Sequence, residues 1–399
     1  MNPKPTSPTP HRTWAEINTA ALRHNVAVVR AQAGERVRLM AVVKADAYGH
    51  GAEIVVPALA DFVDAFGVAN LAEAVEVSKV EGRETKASEP APLRPSTLAL
   101  RPPYLIFLFG PALPEERAEI VERRFVPMVS DLDEARAYSA LAAGEPLDIH
   151  LKLDTGMGRI GIWQDDALET VRAIRALDGI RIAGLASHLP VADSDETFTR
   201  TQLDHFEKLV AQLRADGLAS PVIHIENSGG IIGFPAHAGD MVRPGLMLYG
   251  SSPAPAFQPE LRPVLTWKTR VVLVREVGEG RSVSYGRTFI TVRPLRIATL
   301  AVGYADGYRR HLSGRGAEVL IGGKRCAVLG RVTMDQILAD VTALPEVEPG
   351  EEVVLLGAQG DEEIFAAELA EKAGTIAWEI FTGIGPRVKR VDCALESGA

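Results

Sequence analysis

Between about residue 36 and residue 250, short apolar runs alternate with longer amphipathic ones. The short runs are apolar on both faces and rich in β-branched residues, as strands of a parallel sheet are. They predict strands at Arg38–Val43, Ala65–Val68, Tyr104–Phe107, Val126–Val129, Asp148–Leu153, Ile182–Ser187, Val222–Glu226 and Met241–Arg243. Helical spacing falls between them, at Leu71–Val80, Glu115–Arg123, Leu132–Ala142, Asp166–Leu177 and Glu196–Leu213. Eight such repeats in this length predict a (β/α)8 TIM-type barrel within residues 12–255.

After Pro253 the rhythm changes. Apolar runs at Arg270–Arg275, Arg296–Val302, Glu318–Ile321, Arg325–Leu329, Ile337–Val341 and Glu352–Leu356 follow one another with little helix between them. Gly322-Gly323 is a hairpin-turn signal. A helix is expected over Glu362–Ala373, with Asp361 as its N-cap and Gly374 just past its end. Residues 256–399 are therefore expected to form a mostly β C-terminal domain. A strand within residues 12–18 is a candidate member of that domain. Residues 81–103, rich in Pro, Ser, Thr and charge, read as an inserted loop, and residues 1–11 as a flexible tail.

The 399 residues are 46% hydrophobic and 24% charged, enough apolar content for a full core in each domain. A net charge of −9 argues against a nucleic-acid or anionic-membrane partner. Two cysteines without CxxC spacing argue against a disulfide framework or a zinc site, so no metal is expected and a reducing compartment is the simpler setting. No signal-peptide pattern or membrane span is visible, which makes the expected location cytoplasmic.

In barrels of this kind, chemistry gathers at the C-terminal ends of the strands. The first strand ends in Lys44, followed by Asp46, Tyr48 and His50. The fifth carries Lys152 and runs into Asp154-Thr155-Gly156-Met157-Gly158-Arg159. The sixth ends in Ser187-His188, the seventh in Asn227-Ser228-Gly229-Gly230, and the eighth in Arg243-Pro244-Gly245. Each cluster alone has an ordinary structural reading: a loop histidine, or a tight turn at Gly245. Together on one rim they fit a phosphorylated carbonyl cofactor. Desolvation pushes a lysine amine toward its neutral, nucleophilic form, the condition for Schiff-base chemistry. Ser228, Tyr48 and the amides near Gly245 and Leu246 are candidate phosphate donors.

Six segments carry a resemblance: AVVKADAYGHG (41–51), HLKLDTGMGRIG (150–161), DMVRPGLMLYG (240–250), VSYGRTF (283–289), VGYADGY (302–308) and GRVTMDQ (330–336). From about Trp14 to Val391 the chain resembles alanine racemase, a pyridoxal 5'-phosphate enzyme. The resemblance implies that Lys44 holds the cofactor and moves the substrate α-hydrogen on one face. It implies Tyr285 as the second base, entering from the partner subunit of a homodimer. His188, backed by Arg243, would assist that phenol, and Arg243 would also face the pyridine nitrogen. Arg159 would contact the cofactor and the substrate carboxylate, and the Met334 backbone would bind that carboxylate from the partner. Tyr48, Asn227, Ser228, Gly245 and Leu246 would surround the cofactor, while Tyr304 and Asp335 would line the entrance. Lys152 matches a lysine carried as a carbamate in some members; an ordinary Lys–Asp pair is the other reading. The implied role is D-alanine supply for peptidoglycan.

One departure bears on specificity. A phosphate-contacting tyrosine is expected near the C-terminus, and here the position is Trp378, within Thr375-Ile376-Ala377-Trp378-Glu379. Indole donates a hydrogen bond but cannot accept one. This keeps open a broader amino-acid racemase, acting for example on serine. A non-racemising pyridoxal-phosphate-binding protein is a further alternative, disfavoured by the β domain that carries Tyr285.

Overall fold

In a computed structural model, the structure describes residues 11–80, 104–142, 144–219, 221–237 and 239–393. The loop expected over 81–103 and all but the last residue of the expected tail lie outside them. The chain divides into two units, one of residues 22–47 and 55–262, the other of residues 1–21, 48–54 and 263–399.

The first unit is built on eight parallel strands. In spatial order they are Met241–Val242, Arg38–Val42, Ala65–Val68, Leu105–Leu108, Val126–Val129, Leu147–Asp154, Ile180–Ala186 and Val222–His224. The seam between the last and the first is joined by backbone hydrogen bonds from Asp240 N to Ile223 O (2.8 Å) and from Arg243 N to Glu226 O (3.0 Å). This is the barrel the alternating pattern predicts. Its interior holds Met40, Ala65, Phe107, Met128, Ala186, Val222 and Met241, all buried. The strand residues are apolar toward both the interior and the surrounding helices, which explains the near-continuous hydrophobic runs.

The second unit contains a nine-stranded sheet. Its order is Glu362–Ile364, Glu352–Gln359, Glu318–Ile321, Lys324–Leu329, Ile337–Asp340, Leu295–Leu300, Leu265–Val277, Thr13–Ile17 and Lys389–Asp392. The long strand Leu265–Val277 also pairs with Glu352–Gln359. Thr13–Ile17 runs antiparallel to Leu265–Thr269 in this sheet. Gly322 and Gly323, both at positive φ, turn the hairpin in which Ile321 pairs with Lys324; two left-handed residues suit the twist of a tight hairpin.

The helix expected over Glu362–Ala373 begins later. Glu362–Ile364 is a strand paired with Gly357–Gln359, the helix is Ala366–Ala373, and Phe365 stands at its N-cap position in place of Asp361. Cross-strand pairing outweighs the helix preference of Glu-Glu. Gly374 closes the helix at φ 72°, as expected.

Candidate active site

Lys44 leaves the first barrel strand into an uncommon backbone. Ala45, Asp46, Ala47 and Tyr48 have φ of 53°, 53°, 53° and 55°, a left-handed turn without glycine. Each such residue costs about 1–2 kcal/mol, so the surroundings must hold it. Ala47 N donates to Val43 O (2.9 Å) and Ala45 N to Glu73 Oε1 (2.9 Å), while Ala69 N donates to Glu73 Oε2 (2.8 Å). Glu73 therefore ties this turn to the end of the neighbouring strand. Burial lowers the Lys44 pKa, the Arg159 charge lowers it further, and Glu73 opposes both.

On the fifth strand, period-2 alternation directs His150, Lys152 and Asp154 to one side, and all three are buried. Asp154 organises the turn that follows, accepting from Gly156 N (2.9 Å), Met157 N (2.9 Å) and Arg159 N (3.1 Å). Burial pushes its pKa up, but these backbone donors outweigh burial and hold the carboxyl below its usual range. Among the described residues, Lys152 Nζ has no hydrogen-bond partner. Burial first, then Arg243, lower its pKa well below the ordinary lysine value.

His188 follows the sixth strand. Its backbone carbonyl accepts from Gln202 Nε2 (2.7 Å), which fixes the loop against helix Glu196–Ala215. Burial and the cations Arg243, Lys152, Arg159 and Lys44 keep its imidazole neutral. Arg243, buried at the end of the eighth strand, donates from Nη2 to Ser187 O (2.7 Å) and Ile225 O (3.0 Å), from Nη1 to His224 Nδ1 (2.7 Å), and lies 3.4 Å from His188 Nδ1. Burial brings its pKa to about 10, still protonated at neutral pH.

Ser228 Oγ accepts from Gly245 N (3.1 Å) and Met247 N (3.3 Å), placing Gly245 and Leu246 beside the seventh strand's end. Asn227 caps helix Ser228–Gly233 through Gly230 N (3.1 Å) and donates to Leu189 O (2.8 Å). Lys44, Lys152, Arg159, His188, Asn227, Ser228, Arg243, Gly245 and Leu246 thus share the C-terminal end of one barrel.

The remaining candidates belong to the other unit. Tyr48 is buried there, and burial raises its phenol to about 12. Gly49 after it has no room for a side chain: a Cβ would sit 2.3 Å from Phe381 O. Tyr285, between Ser284 at φ 64° and Gly286 at φ 71°, is 73% exposed. Tyr304 and Met334 are exposed and lie together, since Tyr304 N donates to Thr333 O (2.9 Å) and Ala305 N to Met334 O (3.0 Å). Gly303 permits this approach, because a Cβ there would meet Met334 O at 2.3 Å. Asp335 pairs with Arg387 (2.9 Å), and Trp378 is half-buried on helix Ala377–Thr382.

The sequence reading passed over His224, Glu226 and Gln202 as side chains and gave His150 no role. The alternation His150-x-Lys152-x-Asp154 and the same spacing in His224-x-Glu226 were the available signals. No cluster of three metal-ligating side chains occurs among the described residues, and no helix there is long and apolar enough to cross a membrane.

Sequence comparison matches residues 17–253 to the alanine racemase N-terminal domain and residues 264–392 to the alanine racemase C-terminal domain. An alanine racemase of Halothermothrix orenii is 42% identical over 395 residues, 98% of each chain. The biosynthetic alanine racemase of Pseudomonas aeruginosa superposes with a TM-score of 0.83 at 34% identity, covering 96% of this chain and 99% of that one. The alanine racemase of Bartonella henselae with covalently bound pyridoxal phosphate gives a TM-score of 0.82 at 26% identity, covering 96% and 100%.

Proposed function

Because the chain belongs to the alanine racemase family, we propose that it is an isomerase that interconverts L- and D-alanine with pyridoxal 5'-phosphate. The observation that carries the reading is Lys44, an amine of lowered pKa on a braced left-handed turn beside Arg159. The donor set suits the cofactor. Lys44 offers the amine for its carbonyl, as the bound cofactor of the Bartonella henselae neighbour suggests. Ser228, Gly245, Leu246 and Tyr48, with Asn227 and Trp378 near them in role, would take its phosphate end. Arg243 would take the ring nitrogen. When bound, pyridoxal phosphate supplies the carbonyl that captures the substrate amine and a conjugated ring that spreads charge from Cα.

The chain's own residues then divide the work. Lys44 Nζ moves the α-hydrogen on one face and Tyr285 Oη moves it on the other, so the stereocentre inverts. A phenol needs help to act as a base, and His188 would supply it by hydrogen bonding, with Arg243 behind it. Arg243 never surrenders its own proton, so it would hold the ring nitrogen without protonating it, which would disfavour transamination. Arg159 and the Met334 backbone bind the substrate carboxylate, and Tyr304 and Asp335 narrow the entrance. The exposure of Tyr285, Tyr304 and Met334 supports a homodimer in which a second copy covers them and uses Tyr285. The product would serve peptidoglycan synthesis in the cytoplasm. The buried, unpartnered Lys152 supports the carbamate reading, in which it steadies Arg159.

Circular dichroism with L-alanine, L-serine or L-lysine as sole substrate tests this. Loss of the alanine signal, together with a drop of about 10²–10⁴-fold in Tyr285→Ala at unchanged cofactor absorbance, is the expected result. Wild-type turnover by Tyr285→Ala would sink the two-base scheme. Equal loss with serine or lysine would establish the broader racemase that Trp378 keeps open.

A further inference from the structure

Arg243 ends a line of buried polar contacts that runs down inside the barrel and that the roles above leave unused. Arg243 Nη1 lies 2.7 Å from His224 Nδ1, and His224 Nε2 lies 2.8 Å from His150 Nδ1. A guanidinium only donates, so His224 Nδ1 is the bare nitrogen. The His224 proton is then on Nε2, where it points at His150 Nδ1. His150 must accept there and carry its own proton on Nε2. A His150 protonated at Nδ1 would set two N–H groups against each other in a fully buried place. Every tautomer in the line is fixed from the arginine end. Both rings stay neutral: burial and the arginine charges bring His150 to about 3 and hold His224 well below its ordinary value.

The barrel is shaped to hold His150. A Cβ on Gly184 of the adjacent strand would stand 2.2 Å from the imidazole Nδ1 and Cε1, so only glycine leaves room for the ring. Phe107 closes the other side, edge-on at 4.8 Å and 77°. A leucine would fill this volume equally well; a ring nitrogen at this point is a chemical choice.

We propose that His150 is a positioning residue for Arg243: by accepting at Nδ1 it locks His224 in the Nε2–H tautomer, whose Nδ1 lone pair holds the guanidinium. This rests on the role given to Arg243 above. Without the acceptor, His224 carries an orphaned buried N–H, its ring turns to find a partner, and Arg243 loses its shortest side-chain contact. The backbone tethers to Ser187 and Ile225 remain, so the arginine stays in the barrel but loses its fixed orientation.

Two variants separate this from simple space filling. His150→Asn keeps an acceptor where Nδ1 was but leaves a gap; His150→Leu fills the gap without an acceptor. Space filling predicts that Leu is tolerated better than Asn. We expect the reverse in turnover: His150→Leu loses about 10- to 100-fold in kcat for alanine, the scale of one charge-assisted hydrogen bond, with KM little changed. His150→Asn should stay within roughly 3-fold of wild type, even where its Tm is lower. Nitrogen-15 NMR of histidine-labelled holoenzyme reads the tautomers without turnover. It should show His150 and His224 protonated at Nε2 in wild type and a mixed His224 in His150→Leu. Protonation of wild-type His224 at Nδ1, wild-type kcat in His150→Leu, or a kcat order with Asn below Leu would each overturn the proposal. A wild type that shows the expected tautomers but racemises nothing would overturn the reading of the site, and Arg243's role with it, while leaving the hydrogen-bond line standing.

Discussion

Replacing Gly184 by alanine adds one methyl group at the place where the barrel interior has none to spare. The new Cβ would lie 2.2 Å from two atoms of the His150 ring and 2.7 Å from a third. Ordinary contact lies near 3.5 Å, so the ring must retreat by roughly 1.3 Å. Phe107 blocks one path, and the retreat stretches the 2.8 Å contact to His224 past hydrogen-bonding length. Overpacking costs about 1–3 kcal/mol, and the orphaned His224 N–H adds about 1–3 kcal/mol. A total near 4 kcal/mol corresponds to a Tm lower by about 8–16 °C for a unit of this size. Thermal melts followed by circular dichroism, with urea titrations, measure it. Gly278→Ala is the control, since nothing lies within 4 Å of a Cβ there, and it should change stability by about 0.5 kcal/mol or less. If the His150 clash is the cause, adding His150→Ala to Gly184→Ala must recover part of the loss. A Tm within about 2 °C of wild type, or a double variant whose losses simply add, would refute the reasoning.

Glu226 is fully buried, neither carboxyl oxygen has a partner among the described residues, and burial raises its pKa to about 8 against the pull of Arg243. The folded state therefore keeps a proton that the unfolded chain releases above about pH 4.5. Stability attributable to this group falls between pH 4.5 and 8, by about 1.4 kcal/mol per pH unit. Glu226→Gln should gain on wild type over that window and no further above it; parallel pH–stability curves would show that the carboxyl ionises freely. Arg159→Met removes a cation that lowers the Lys44 pKa. The midpoint for reaction of the apo-protein with pyridoxal phosphate should then move to higher pH, and an unmoved midpoint would place the control of Lys44 elsewhere. Incubation with ¹³C-bicarbonate should give a carbamate resonance that Lys152→Gln lacks; the same resonance in both proteins would assign it to another amine.

Much of the barrel was legible because its strands are buried on both faces, which writes them as unbroken apolar runs. The rim was legible for a related reason: Lys44, Lys152, His188, Asn227 and Arg243 each interrupt such a run at its C-terminal end. Other features were not. The strand Glu362–Ile364 lacks strand composition and exists because Gly357–Gln359 offers an edge to pair with. The roles of His150 and His224 depend on which strands are neighbours, since the two residues are 74 positions apart and meet only once their strands have both paired with Ile180–Ala186. The significance of Gly303 lies in the Thr333–Met334 turn packed on it, a contact about thirty positions away in sequence.

The turn at Ala45–Tyr48 was the least legible element of all, and that has a consequence for how the molecule acquires its chemistry. Alanine, aspartate and tyrosine all prefer the right-handed region, so nothing local favours four successive residues near φ 53°. The unfolded chain should rarely sample this conformation, and the segment should reach it late, once Glu73 and the ends of the first two strands are in place. The same argument runs backward under stress. As the barrel loosens, this segment has most to gain by relaxing, so amide exchange there should quicken before the sheet opens. Lys44 is the first residue of that spring. The proposed cofactor lysine would then be lost while most of the fold survives, and the fraction of chains able to take up pyridoxal phosphate would report integrity more sensitively than any measure of secondary structure.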